Sequence, residues 1–485
     1  MSKTFILVLL ILYGLGIFYV VRKPLPPGVG IAGEVRTVPA EAITFLADRT
    51  YVDAAGERHS EQQIFDEIVR MIRGAKHYVL VDMFLYNQFQ GDPPELQRAL
   101  AQELTAELVA AKQRNPELTI AVVSDPINTV YGGVASPEFD ALRDVGIEVV
   151  VTDLTKLRDS NPIYSALWRI GPRWLGNSVG GFLPNPLTAN GERVPARSWL
   201  SLLNFKANHR KLVIADEPAG VDVSGQPVVR LATLVTSANP HDGSSAHTNA
   251  AIKVSEQIWQ DVFDSEAAAA TWSGKSLPTA DLIRRESLGD TPVQLLTEGA
   301  IRDATLALID RAQPGDSIDI AMFYLSERSI VRGLTAASKR QVAIRLILDP
   351  NKDAFGRTKN GVPNRSVAHE LLTKGSDIQI RWCDTHGEQC HTKLLLFRLG
   401  QQQVLMTGSA NLTRRNINNY NLETNIVVES AVVIPAMAQA HSFFTEMWTN
   451  ARGRIFTAEY EAYADDSLLK TVMYRIQEAT GLSSF

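Results

Sequence analysis

The sequence predicts an α/β protein of two pseudo-duplicated lobes, each a mixed or parallel sheet flanked by helices, behind a single N-terminal transmembrane helix. Three observations carry that prediction. An uncharged apolar run of 17 residues, Phe5 to Val21, stands near the start of the chain. Behind it, helical spacing alternates with short apolar strand-like runs, the pattern of a largely parallel sheet with helices on its faces. The alternation then occurs a second time with the same landmarks, at a period too long for a solenoid.

The apolar run lies near the lower limit of the about 17–25 residues a spanning helix needs. Lys3 precedes it, Arg22-Lys23 follow, and Tyr13, Phe18 and Tyr19 add aromatic bulk. It ends Tyr-Val-Val-Arg-Lys-Pro, without the small residues of a signal cleavage site, and no cysteine follows it. Residues 1–23 therefore read as an uncleaved single-pass membrane anchor. Positive charge at both ends leaves the side of the large domain undecided. Residues 24–58 read as a linker and lead-in segment, Pro/Gly-rich from Pro24 to Val38.

The first lobe spans 59–275. Ser60 to Arg73 has helical spacing, with Ser60 and Gln63 placed as a capping box and Ile64, Ile68 and Ile72 on one face. Val79 to Tyr86 reads as a buried strand, Leu96 to Arg114 as a helix, and Leu118 to Val123 as a strand closed by Asp125-Pro126. The second lobe, 290–456, repeats the order. Ile301 to Ala312 is helical, Ile318 to Leu325 a strand, Ser329 to Lys339 helical, and Ile344 to Leu348 a strand closed by Asp349-Pro350. Met83-Phe84 matches Met322-Phe323, and Ala267 to Pro292 reads as the connection. Residues 457–485 form a C-terminal segment, mostly helical from Glu459, whose Leu468, Leu469, Val472, Met473 and Ile476 suggest core packing.

Within these repeats lies the chemistry. Asn204 to Asp216 reads as a strand that begins polar and ends buried, so His209 and Lys211 share a face and Arg210 points the other way. An imidazole and an ammonium on one rigid face suit a phosphate ester: the ring can attack or donate a proton, and the amine can hold the anion. The second copy has His391 and Lys393 ahead of another apolar run. Each pair is followed by a small polar turn, Thr236-Ser237-Ala238-Asn239 and Gly408-Ser409-Ala410-Asn411.

On these residues the chain resembles the phospholipase D superfamily, whose members carry two His-x-Lys-x4-Asp motifs, each followed by a Gly/Ser-x-Asn turn. The first motif matches in full, through Asp216; the second departs from the pattern at Arg398. The resemblance implies two lobes packed as a pseudo-dimer around one site. It implies a phosphohistidine intermediate, in which one His attacks and the other protonates the leaving group, then activates water or an alcohol. His209, Lys211, Asp216, His391, Lys393 and Glu423 are the candidate catalytic residues. Asn239 and Asn411 are candidates for binding the phosphate, and Ser237 and Ser409 either bind it as well or orient these two amides. Glu423 matches the family's orienting acid, and Asn249 holds that place in the first copy. If each His takes the partner from its own copy, His209 beside an amide is the nucleophile and His391 beside a carboxylate is the acid.

Two His and two Lys need neither metal nor other cofactor, and none is expected. Cys383 and Cys390 suffice for one bridge, and their spacing with His386 and His391 is not a standard zinc pattern. The spacing between landmarks differs between copies. From Asp125 to His209 is 84 residues, against 42 from Asp349 to His391. The insertion, about 160–202, holds Tyr164, Leu167, Trp168, Ile170, Trp174, Leu175, Phe182, Leu183 and Leu187 with Arg169 and Arg173 between them. It reads either as an interfacial loop for a lipid surface or as a lid on its own lobe, and in both cases sits near the site mouth. The net charge of −5 gives no global field for nucleic acid. The expected partners are thus a phospholipid substrate, the membrane, and water or an alcohol as acceptor. A nuclease of the same superfamily, or a non-catalytic binding member, is the alternative.

Overall fold

The structure is a computed structural model and describes residues 3–221, 224–225, 227–279, 289–483 and 485. Its architecture grows from strands buried on both faces. In the first lobe, β4 (Tyr78–Met83) has every residue buried. It lies parallel to β5 (Thr119–Ser124), which lies parallel to β6 (Glu148–Val151). On its other side runs the motif strand β7 (Lys211–Val221), antiparallel, followed by β8 (Pro227–Thr236), β9 (Asn249–Val254), β2 (Ile43–Val52) and β3 (Arg58–Glu61). The second lobe builds the same order. Parallel β11 (Ser317–Met322), β12 (Ala343–Leu348) and β15 (Ile378–Cys383) adjoin the antiparallel motif strand β16 (Lys393–Leu399), then β17 (Gln402–Gly408), β18 (Thr424–Ser430) and β10 (Thr291–Thr297). The edges are closed by β1 (Arg36–Val38) and β19 (Thr457–Glu459). The mixed sheets confirm the predicted fold class, and the shared strand order makes the repeat visible in three dimensions.

The segment 24–58 does more than link. It places β1 on the second sheet and β2 on the first, so it straps the two lobes together. One apolar cluster runs from Leu212, Ile214 and Ile252 of the first sheet to Leu394, Leu396 and Ile426 of the second. The expected connection begins as the helix Trp259–Trp272, and its residues 280–288 lie outside those described.

Ile64, Ile68 and Ile72 are buried, as their spacing predicts, on the helix Gln63–Gly74. The capping box is not formed, because Ser60 belongs to β3; Asp48 on β2 accepts the Ile64 amide at 3.0 Å instead. The helix Lys3–Arg22 is long and apolar enough to cross a membrane, with mean hydropathy 2.6. The C-terminal helix, Leu468–Thr480, corrects another expectation. It turns Tyr474 and Glu478 inward, where they bond Ser326. Met473 packs on the core, but Leu468, Leu469, Val472 and Ile476 are exposed.

The insertion divides its apolar residues between the two readings. Leu183, Leu187 and Trp199 pack on Val130, Val134 and Val194. Trp174 and Phe182 stay 72% and 68% exposed, with Ile163, Leu167, Ile170 and Leu175 also open. Its helix Pro162–Ile170 lies along the N-terminal helix, with the Tyr13 hydroxyl donating to the Ile163 carbonyl at 3.0 Å.

Candidate active site

His209 and His391 do not lie in the strands themselves. Each ends an extended approach just ahead of β7 or β16, and each approach is stapled to the opposite lobe. The His209 amide donates to the Leu422 carbonyl at 2.9 Å, and the Thr248 amide donates to the Gln389 carbonyl at 3.2 Å. The residue before each His is held by the Asp of the repeated Asp-Pro. Asp125 accepts the Asn208 amide at 2.6 Å, and Asp349 accepts the Cys390 amide at 2.8 Å. Cys390 is also bonded to Cys383 in a disulfide.

The two half-sites are near copies. Lys211 donates to the His209 carbonyl at 2.6 Å, and Lys393 to the His391 carbonyl at 2.7 Å. Phe84 lies 4.7 Å from the His209 ring and Phe323 5.0 Å from the His391 ring, centroid to centroid. Each Phe also faces the neighbouring lysine amine, at 4.9 and 5.2 Å. Arg210 points away from this face, as the strand period requires. It is wholly buried between Glu266, at 2.9 Å, and Glu298, at 3.1 Å.

The orienting partners are crossed between the lobes. His209 Nδ1 meets Glu423 at 2.9 Å, and His391 Nδ1 meets the Asn249 side-chain oxygen at 3.3 Å. The expectation that each His takes its partner from its own copy is therefore corrected. The lobes face each other, so the strand end that approaches each ring belongs to the other copy. Ser237 and Ser409 are corrected too. Both are fully buried behind these partners: the Ser237 hydroxyl donates to Asn249 at 3.0 Å and the Ser409 hydroxyl to Glu423. They hold the orienting residues rather than facing the cavity.

Asp216 is the third correction. Its carboxylate accepts the amides of Lys76, His77 and Tyr78 at 2.8–3.1 Å and fixes the start of β4, beside the middle of β7 and away from His209. At Arg398 in the second lobe no such carboxylate is needed, because Asp316 ties the turn there, accepting the Gln313 and Gly400 amides. Lys393 nevertheless keeps the same contact as Lys211.

Both rings face one cavity of about 380 Å³ with Asn239 and Asn411 in its wall. Asn239 accepts the Leu85 amide at 3.2 Å, which leaves its NH₂ group for a ligand. Arg357, Lys359, Lys206 and Arg415 also line the cavity, and no carboxylate does among the described residues. Leu187, Leu202, Phe205 and Phe355 give it an apolar mouth, so the insertion does reach the site. Lys211 and Lys393 lie fully buried next to the rings.

Burial dominates the electrostatics. It lowers His209 to about 4, against the opposing pull of Glu423, and it lowers His391 well below the ordinary value, helped by Lys393. Burial brings Lys211 down to about 7 and Lys393 well below its usual value, the latter also because Lys211 is near. Burial raises the Glu423 carboxyl, but His209, Lys211 and the Ser409 bond outweigh it and leave it below the usual range, hence ionised. Both imidazoles are thus held neutral, one of them on a carboxylate.

Sequence reasoning gave no role to His247, Phe355, Lys359 or the two Asp-Pro carboxylates. His247 accepts the Gln389 amide at Nδ1 at 3.3 Å, its Nε2 is buried with no hydrogen-bond partner among the described residues, and its ring lies 5.8 Å from that of His391. The repeated Asp-Pro was a visible signal; the loop carrying Phe355 and Lys359 had none.

A family model described as "Cardiolipin synthase, PLD-like domain" matches residues 305–448. No curated protein sequence matches the chain. Among solved structures it is similar to phosphatidylserine synthase of Haemophilus influenzae Rd KW20, at 10% identity and TM-score 0.57, over 93% of this chain and 95% of that one. It is also similar to polyphosphate kinase from Porphyromonas gingivalis, at 13% identity and TM-score 0.46, over 90% of this chain and 53% of that one. Nuc, a phospholipase D family member from Salmonella typhimurium, matches at 21% identity and TM-score 0.27, over 35% of this chain and 99% of its own. The synthase similarity shows the two-lobe fold over nearly the whole chain, and the family model covers much of the lobe that carries the second motif. With a His-x-Lys pair from each lobe at one cavity, the chain carries a PLD-like domain match over residues 305–448 and a two-lobe fold similar to that of the synthase.

Proposed function

We propose that this chain is a membrane-anchored enzyme that cleaves or exchanges the headgroup phosphodiester of phospholipids through a phosphohistidine on His209. The observation that carries the proposal is the cavity shared by the two half-sites. It presents two imidazoles from opposite lobes, has cations and amides but no carboxylate among its described lining residues, and opens through an apolar mouth beside the apolar insertion. The family model's description and the phosphatidylserine synthase similarity agree with a phospholipid substrate.

His209 Nε2 attacks phosphorus while the P–O bond to the leaving alkoxide breaks. His391 Nε2 gives that oxygen its proton. Neutral His391 then takes a proton from water or an alcohol, whose oxygen displaces His209 and restores both rings. Lys211, Lys393, Asn239 and Asn411 stabilise the charge that builds on the phosphoryl oxygens. The crossed partners change the reason for choosing His209. A carboxylate partner would favour an acid if it kept the ring protonated, but burial holds His209 neutral. The ring that becomes a cationic phosphoimidazolium is the one that benefits from Glu423 at 2.9 Å. A bound phosphodiester anion supplies the field in which His391 takes up its proton.

The test is to offer phosphatidylglycerol and phosphatidylethanolamine carrying ³²P to a His391→Asn chain, then map the trapped label. Label on His209, together with phosphatidic acid or a transferred phosphatidyl product from the intact chain, is the expected result. Glycerol dependence of the product distinguishes transfer from hydrolysis. Label on His391 of a His209→Asn chain and none on His209 would reverse the roles. Cleavage of single-stranded DNA without any lipid product would replace the lipid reading with the nuclease.

A further inference from the structure

A second cavity, of about 560 Å³, opens beside the first, between the exit of the N-terminal helix and the insertion. Tyr19 and Lys23 line it, so it stands at the level where the apolar helix ends. On the reading of that helix as a membrane anchor, this is the depth of lipid headgroups.

Its charge is strongly one-sided. Lys23, Arg169, Arg173, Arg197 and Lys206 line it against two carboxylates, Asp153 and Asp159. Asp159 is already shared between Arg169, at 2.6 Å, and Lys206. Asp153 is occupied as a cap, accepting the Thr155 amide at 3.0 Å. Arg173 and Arg197 have no carboxylate partner among the described residues. Arg173 stacks its guanidinium on Trp174 at 4.5 Å, and Arg197 donates to the Arg173 carbonyl at 3.2 Å. Two guanidiniums without counter-ions, in a concave site, are a phosphate-binding pair in search of an anion.

The surroundings specify the source of that anion. Exposed Leu167, Ile170 and Trp174 adjoin in sequence the lining residues Trp168, Arg169 and Arg173, so apolar surface lies next to these cations. A free phosphate gains nothing from such a surface, whereas a lipid inserts its acyl chains beside it. Lys206 and Tyr131 line both cavities, so whatever sits here adjoins the two histidines.

We propose that this cavity seats the headgroup phosphate of an anionic phospholipid from the adjoining leaflet, held by Arg173 and Arg197, next to but separate from the phosphodiester between the two histidines. The site would favour membranes rich in anionic lipid and hold a second lipid at the edge of the reaction chamber.

The test is a titration of the full-length His209→Ala chain in neutral detergent, followed by calorimetry. Dihexanoyl-phosphatidylglycerol, dihexanoyl-phosphatidylcholine and inorganic phosphate are the probes. Phosphatidylglycerol is expected to bind at least tenfold more tightly than phosphatidylcholine or phosphate. Adding Arg173→Gln with Arg197→Gln is expected to remove that preference, and Arg173→Lys with Arg197→Lys to retain most of it. Equal binding of the two lipids, phosphate binding as tightly as phosphatidylglycerol, or an undiminished preference in the Gln pair would each overturn the proposal. Should the Gln pair fail to fold, the lipid comparison on the parent and the Lys pair still decides. No turnover enters the measurement, so it succeeds or fails independently of the phosphohistidine reading.

Discussion

Lys211 and Lys393 have no ion-pair partner of their own among the described residues; each amine is spent on the carbonyl of its own histidine. Burial lowers Lys211 to about 7. Below that pH it is an ammonium that can stabilise the phosphoryl oxygens, and above it the charge is lost. The expected pH profile of kcat/KM therefore falls as pH rises through about 7. Lys211→Met should cost about 10²–10³ in kcat, the scale of one lost charge-stabilising donor, and should remove that limb. A profile flat from pH 6 to 9 in the intact chain would assign Lys211 no such role. On the proposed mechanism Glu423 acts one step back, through His209, and its two flanking donors, Ser409 and Asn416, keep it aimed.

At the scale of the element, the start and the middle of the motif strand β7 do different work. Its start presents His209 and Lys211, and Asp216 further along ties it to β4 by accepting three successive amides. Asp216→Ala would leave buried donors unpaired. It is expected to lower stability by about 1–3 kcal/mol while kcat of the folded protein stays unchanged; a chemical-denaturation curve and an active-site titration read the two separately. A drop in kcat without loss of stability would restore Asp216 to the reaction. The second lobe makes the same point without mutation, since β16 carries Arg398 there and still delivers Lys393 to His391.

For the whole molecule, Arg210 is the bolt between lobes. It leaves the first sheet on the face opposite His209 and enters Glu298 of the second lobe, whose carboxylate also accepts the Glu423 amide at 2.8 Å. One buried ion network thus sets the spacing of the lobes and the position of His209's partner. Arg210→Met would strand two buried carboxylates and is expected to cost about 3–5 kcal/mol, read as a lower urea midpoint. Activity should fall with it, because the Glu298 carboxylate that fixes the Glu423 backbone loses its counter-ion. Exposed apolar residues also gather at this scale, on the N-terminal helix and on the insertion helix that lies along it.

The α/β class, the duplication, the apolar N-terminal helix and the two His-x-Lys pairs were legible in the sequence. Each is written in local periodicity or in a repeated string, and strand period alone put Arg210 opposite His209. What only the tertiary structure decided is which distant segments meet. His209 and Glu423 are 214 residues apart, and Asn249 and His391 142. No local pattern says that the lobes exchange these partners. The same limit hid the capping of β4 by Asp216 and the burial of Ser237 and Ser409 behind the orienting residues. On the C-terminal helix, the apolar spacing pointed to Leu468 and Leu469, yet Tyr474 and Glu478 turned inward because Ser326 offered them hydrogen bonds. Periodicity reports that a helix has two faces; the packing partner chooses which one is buried.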